Sequence, residues 1–129
     1  VSAWPEVGEV RTTRRRLTQA DFDRFAALSG DDNPIHTDPA FAAKTRFKRT
    51  VAHGMLLYGV LCAALGEHFP GAVQLSQTLI FPAPTFAGDE LTMELEPLES
   101  RGGHTRVATT MRNPSGEVVC QGETRLRRA

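Results

Sequence analysis

Residues 52–68 read AHGMLLYGVLCAALGEH and hold the only long apolar run of the chain. Met55, Leu56, Leu57, Val60, Leu61, Ala63, Ala64 and Leu65 follow one another with almost no polar residue between them, so the segment is expected to be a helix over Ala52–His68. A helix without a polar face must be covered on most sides. It is too short to cross a bilayer, which takes about 20 apolar residues. Gly54, Gly59 and Gly66 interrupt it. An interior glycine costs about 1 kcal/mol relative to alanine, and close approach of another backbone, or of a ligand, would offset that cost.

Beyond Pro70-Gly71 the period changes to two. Val73, Leu75, Gln77, Leu79 and Phe81 alternate with Gln74, Ser76 and Thr78. Leu91, Met93 and Leu95 alternate with Glu90, Thr92, Glu94 and Glu96. Thr105, Val107, Thr109 and Met111 form a third set, and Val118, Cys120, Thr124 and Leu126 a fourth. Such alternation marks half-buried strands. The turns at Gly88-Asp89, Gly102-Gly103 and Asn113-Pro114-Ser115-Gly116 are short enough for antiparallel hairpins. Helices first and an antiparallel meander after them make an α+β domain, with the long helix laid across a curved sheet. With 129 residues the chain is read as one domain, residues 1–129, with one core.

On the N-terminal side, Val10–Leu17 reads as a first strand, polar enough for a sheet edge. Thr18 and Asp21 are spaced as a capping box. The helix they open runs to Leu28, with Phe22, Phe25, Ala26 and Leu28 inward, and Gly30 stops it. Residues 30–38 are expected to be a non-helical loop, since Asn33 precedes Pro34. Asp38-Pro39 then caps a short helix over Pro39–Lys44. This loop holds Asp31, Asp32, Asn33, His36 and Asp38, and His53-Gly54-Met55 follows it. A carboxylate and an imidazole five residues apart are the parts of an acid/base pair. A helix starting at His53-Gly54 offers unpaired N–H groups. An isolated Asp-x-Asn-Pro is most simply a turn; His36 and His53-Gly54 tip the reading to a site. Asp32 is taken as solvated, Asp38 as a cap, His53 as holding the helix start, and His68 and His104 as surface residues. Trp4 and Tyr58 receive no role.

Fifteen basic and fifteen acidic residues leave no net charge, which argues against nucleic acid or an acidic membrane as partner. Arg46, Lys48 and Arg49 form a local basic cluster suited to an anionic substrate tail. Two cysteines, Cys62 and Cys120, without CxxC spacing make neither a disulfide framework nor a zinc site. No metal is expected, and two buried thiols fit a reducing cytoplasm. The N-terminal residues are too polar for a secretory signal.

The stretch Phe25-Ala-Ala-Leu-Ser-Gly30-Asp31-Asp32-Asn33-Pro34-Ile35-His36, followed after five residues by Ala42, resembles the hydratase-2 motif of the MaoC-like dehydratases, of the (R)-specific enoyl-CoA hydratase type. Phe47…Val51-Ala52-His53-Gly54-Met55-Leu56 and Phe81-Pro82…Gly88-Asp89 extend the likeness along the whole chain. The resemblance implies a hot-dog fold, a long central helix wrapped by a curved antiparallel sheet, and a homodimer. It also implies reversible hydration of a trans-2-enoyl-CoA to the (R)-3-hydroxyacyl-CoA without a cofactor. Asp31 and His36 match the catalytic pair, Asn33 the residue that holds the loop, and Gly54 the glycine whose N–H binds the thioester carbonyl. Cys62 stands where the family often has serine, near its catalytic aspartate. Cys62, Met55, Arg46, Lys48 and Arg49 are the further substrate-contact candidates. A hot-dog acyl-CoA thioesterase and a non-catalytic acyl-thioester-binding subunit are the rival readings.

Overall fold

The computed structural model describes residues 3–129. The elements run β1 (Arg11–Arg16), α1 (Gln19–Ser29), α2 (Pro34–Thr37), α3 (Pro39–Ala42), α4 (Gly54–His68), β2 (Ala72–Gln77), β3 (Glu90–Arg101), β4 (His104–Arg112) and β5 (Val118–Arg128). The five strands form one antiparallel sheet in the order β1-β3-β4-β5-β2, so the arginine-rich β1 is an edge, as its polarity predicts. Register shifts at Pro97/Glu99, Met111/Arg112 and Gln74/Ser76 bend the strands.

The core lies between α4 and the inner face of the sheet. Leu57, Val60, Leu61, Ala64 and Leu65 of α4 pack into one buried cluster with Leu91, Met93 and Leu95 of β3, Val107 and Met111 of β4, and Val119 and Leu126 of β5. The alternation holds residue by residue through β4 and, in β3, from Glu90 to Pro97. Trp4 closes one end of the cluster: its indole N–H donates to the Pro70 carbonyl at 2.9 Å and its ring meets Phe69 edge-on at 5.5 Å.

Several expectations need correction. α4 begins at Gly54, not Ala52, because His53 is extended (ψ 137°), and the Ala52 N–H ahead of it bonds the Thr85 carbonyl at 2.8 Å. One face of α4, with Met55, Gly59, Ala63 and Gly66, is open rather than covered. A Cβ at Gly59 or Gly66 would meet nothing within 4 Å, so neither glycine serves a close approach within this chain. The strand expected to run to Phe81 ends at Gln77, and Leu75, Ile80 and Phe81 are exposed. Leu28 is 86 % exposed rather than packed inward. The 30–38 loop contains one helical turn, α2: Pro34 sits at its first position, where a missing N–H costs nothing, and the Asn33 side chain caps Ile35 N. The α3 turn ends at Ala42, two residues early. His68 is no free surface residue, since its ring bonds Thr13 Oγ1 at 2.7 Å. No helix among the described residues is long and apolar enough to cross a membrane.

Candidate active site

The capping box at Thr18/Asp21 and the left-handed Gly30 (φ 82°) set both ends of α1 and aim the chain into the Asp31 loop. There the sequence-derived pair comes together. His36 Nε2 and Asp31 Oδ2 are 4.0 Å apart, with Asp31 exposed and His36 half-buried. The gap exceeds hydrogen-bond length, and a water set to one side reaches both groups at about 2.8 Å. His36 Nδ1 lies 2.8 Å from the Val51 carbonyl. A carbonyl only accepts, so Nδ1 carries the proton there and Nε2 is the nitrogen presented to Asp31.

The residue whose importance the sequence understated is His53. It is 2 % exposed and makes no cap bond to α4. Its Nε2–H donates to the Asp31 backbone carbonyl at 2.8 Å, and its ring stacks on His36 with centroids 3.8 Å apart. Phe25 packs on it as well, at 4.8 Å. His53 thus ties the start of α4 to the Asp31 loop. The signal available in the sequence was its place directly before Gly54. Asp31, His36 and His53 offer ligand atoms within 4.8 Å of one another. His53 has one nitrogen engaged and the other buried without a partner. That leaves two accessible donors, short of the three protein ligands of ordinary metal sites.

At the start of α4 the Gly54 and Met55 N–H groups have no partner among the described residues, and the helix dipole adds positive potential there. Gly54 lines a cleft of about 320 Å³ with Arg46, Phe47, Leu57, Phe81 and Thr85. Asp31 and His36 are not among its lining residues, nor are Lys48 and Arg49. Arg46 lies over the Phe47 ring at 4.7 Å and Arg49 over Phe86 at 3.8 Å, while Lys48 is exposed with a left-handed φ of 66°. A larger cavity, about 540 Å³ beside Trp4, His104 and Arg128, contains none of the sequence-derived site residues.

Cys62 does not bond Asp31. Its thiol faces Gln74 Oε1 at 3.8 Å, which also accepts from Tyr58 Oη at 2.5 Å. Gln74 Nε2 continues to Thr124 and Gln77. Cys62 is half-buried, not buried as expected. Cys120 is buried, and burial pushes its thiol up to about 11, so it stays protonated at neutral pH.

A long helix laid on a bent antiparallel sheet, with an acid/imidazole loop at the helix's N-terminus, is the hot-dog architecture in its hydratase/dehydratase form. The chain belongs to the MaoC-like domain family, whose profile matches residues 4–119. It is 47 % identical over 93 residues to the (R)-specific enoyl-CoA hydratase of Aeromonas caviae, covering 70 % of this chain and 69 % of that one. Over 122 residues it is 39 % identical to the 3-hydroxybutyryl-CoA dehydratase of Methylorubrum extorquens, with 92 % and 77 % covered. Among solved structures, an R-hydratase from Pseudomonas aeruginosa superposes with a TM-score of 0.91 at 40 % identity, covering 95 % of this chain and 81 % of that one. The (R)-hydratase of A. caviae superposes with a TM-score of 0.92 at 38 % identity, covering 96 % and 97 %.

Proposed function

We propose that the chain catalyses reversible hydration of a trans-2-enoyl-CoA to the (R)-3-hydroxyacyl-CoA. The observation that carries this reading is the 4.0 Å Asp31–His36 pair, braced by His53 directly ahead of the unpaired Gly54 N–H. Asp31 takes one proton from a water lying between it and His36, and the water oxygen adds to C3. That proton passes from Asp31 to His36 Nε2, the nitrogen left without hydrogen by the Nδ1–H bond to the Val51 carbonyl, and from there to C2, so both groups end as they began. The Gly54 N–H, at the positive end of α4, donates to the thioester oxygen as negative charge grows on it, and one such donor is worth roughly 3 kcal/mol. Asn33 serves the site by capping the α2 turn that carries His36.

Arg46 is placed for the CoA phosphates, since it borders the Gly54 cleft. Lys48 and Arg49 extend the positive surface, and Met55 and Cys62 belong to the open side of α4, where the acyl chain is proposed to run. We take residues 1–129 as one hot-dog domain, acting as a homodimer in the cytoplasm. Support for the dimer comes from the open face of α4 and the exposed Ile80.

The test is loss of enoyl-thioester absorbance with crotonyl-CoA and chiral analysis of the product. Wild type is expected to form the (R)-3-hydroxy thioester, and Asp31→Asn and His36→Ala to lose at least about 10²-fold in kcat. Either variant hydrating at the wild-type rate overturns the assignment. Release of free thiol instead of hydration points to a thioesterase.

A further inference from the structure

Gly54 has no left-handed backbone to explain its missing side chain. What requires a glycine there is the Phe81 ring. A Cβ built on Gly54 would lie 2.8 Å from the ring tip, with the two neighbouring ring carbons at 3.0 and 3.2 Å. Real Cβ contacts do not come so close, so the ring is seated directly against the α-carbon one bond from the proposed oxyanion donor.

The backbone that carries Phe81 is held in place. Its segment, Ile80-Phe81-Pro82-Ala83-Pro84-Thr85-Phe86, is fastened at both ends. Ile80 and Gln121 exchange both backbone hydrogen bonds, at 2.9 and 3.0 Å. At the far end the Thr85 carbonyl accepts from Ala52 N at 2.8 Å, and Phe86 bridges Val51. Between the two clamps, Pro82 and Pro84 have fixed φ angles. Phe81 is nevertheless 44 % exposed and lines the same cleft as Gly54 and Arg46. One side of it is therefore packed on Gly54 and the rest faces whatever enters.

We infer that Phe81 is a specificity-determining residue that restricts the site to thioesters unbranched at C2. This rests on the hydratase reading given above. A thioester oxygen bonded to the Gly54 N–H has the carbonyl carbon as its neighbour and C2 as the next atom. A methyl group on C2 then projects toward whatever packs against Gly54, and the ring, carried on a backbone fixed at both ends, clears it only by turning its own side chain. Branches further along the acyl chain do not meet this wall.

The experiment compares kcat/KM for crotonyl-CoA and its 2-methyl homologue, tigloyl-CoA, in wild type, Phe81→Leu and Phe81→Ala. One methylene in a shaped pocket is worth roughly 10–200-fold in kcat/KM. Wild type is expected to prefer crotonyl-CoA by about 100-fold or more. Phe81→Ala is expected to lower that ratio at least about tenfold, with Phe81→Leu between. A Gly54→Ala variant is expected to lose crotonyl-CoA turnover and to regain part of it when Phe81→Ala is added. Should Phe81→Ala not fold, the ratio in Phe81→Leu decides the matter. Crotonyl-CoA hydration with the same preference in all three proteins overturns the inference alone. So does a wild type that takes both thioesters equally. A folded wild type that hydrates neither overturns the hydratase reading, and the inference with it.

Discussion

In the proposed reaction Asp31 must hold a water against C3 while standing on an exposed loop, and the group that steadies it is His53. The buried imidazole holds the Asp31 carbonyl with Nε2 and supports the His36 ring with its face. Misplacing a reacting group by about 1 Å can cost about 10²-fold in rate. His53→Ala is therefore expected to lower kcat on that order while moving KM much less. His53→Gln, whose amide can still donate to the Asp31 carbonyl, should recover part of the loss. Steady-state hydration kinetics alongside thermal melts check this: a melt lowered with kcat intact would make His53 merely structural. Asp31, His36 and Gly54 could be picked out in the sequence because their types and spacing belong to one short segment. His53 could be placed but not valued, since its two partners lie 22 and 17 residues away along the chain.

Among the elements, α1 depends most visibly on a few local bonds. The Thr18 side chain accepts from Asp21 N, and Asp21 Oδ2 accepts from Thr18 N at 2.8 Å. The bond from the Thr18 backbone N–H, helped by the Thr18 hydroxyl and nearby Arg15 and Arg24, holds the Asp21 carboxyl below its ordinary value against a smaller opposing effect of burial. With the folded value depressed, the unfolded chain binds the proton more readily. This contribution is therefore complete above about pH 4, near the unfolded carboxyl value, and fades as pH falls through the folded value. Asp21→Ala should lower the melting temperature at pH 7, and the difference from wild type should shrink toward pH 3. An equal difference at both pH values would refute the linkage. At β5 the constraint is steric: a Cβ on Gly122 would fall 1.8 Å from the Thr78 carbonyl oxygen, so only glycine lets residues 78–80 cross there. The capping box was legible because it is local. The Gly122 crossing was not, because Thr78 is 44 residues distant.

For the whole molecule, the open question of covering returns. α4 is apolar nearly all round, yet it presents Met55, Gly59, Ala63 and Gly66 to solvent in the single chain. A helix of that composition is stable with such a face covered, and a second copy is the proposed cover. Sedimentation equilibrium at micromolar concentration should give twice the chain mass, and a monomer would rule the dimer out. The sequence by itself determined most of the helices and strands, that β3, β4 and β5 follow the helices as a meander, and that an acid and an imidazole stand ahead of an apolar helix, but not that β2 crosses over to pair with β5. Periodicity, caps and turn residues act over a few positions, so they are written locally. Only the tertiary structure decided that His53 grips the Asp31 carbonyl, that Cys62 faces Gln74 and not Asp31, and that Phe81 is seated on Gly54. Those contacts join residues far apart in the chain. They exist only where the sheet, the helix and the clamped 80–86 segment close on one another, because packing is settled by shape in space and leaves no period in the sequence.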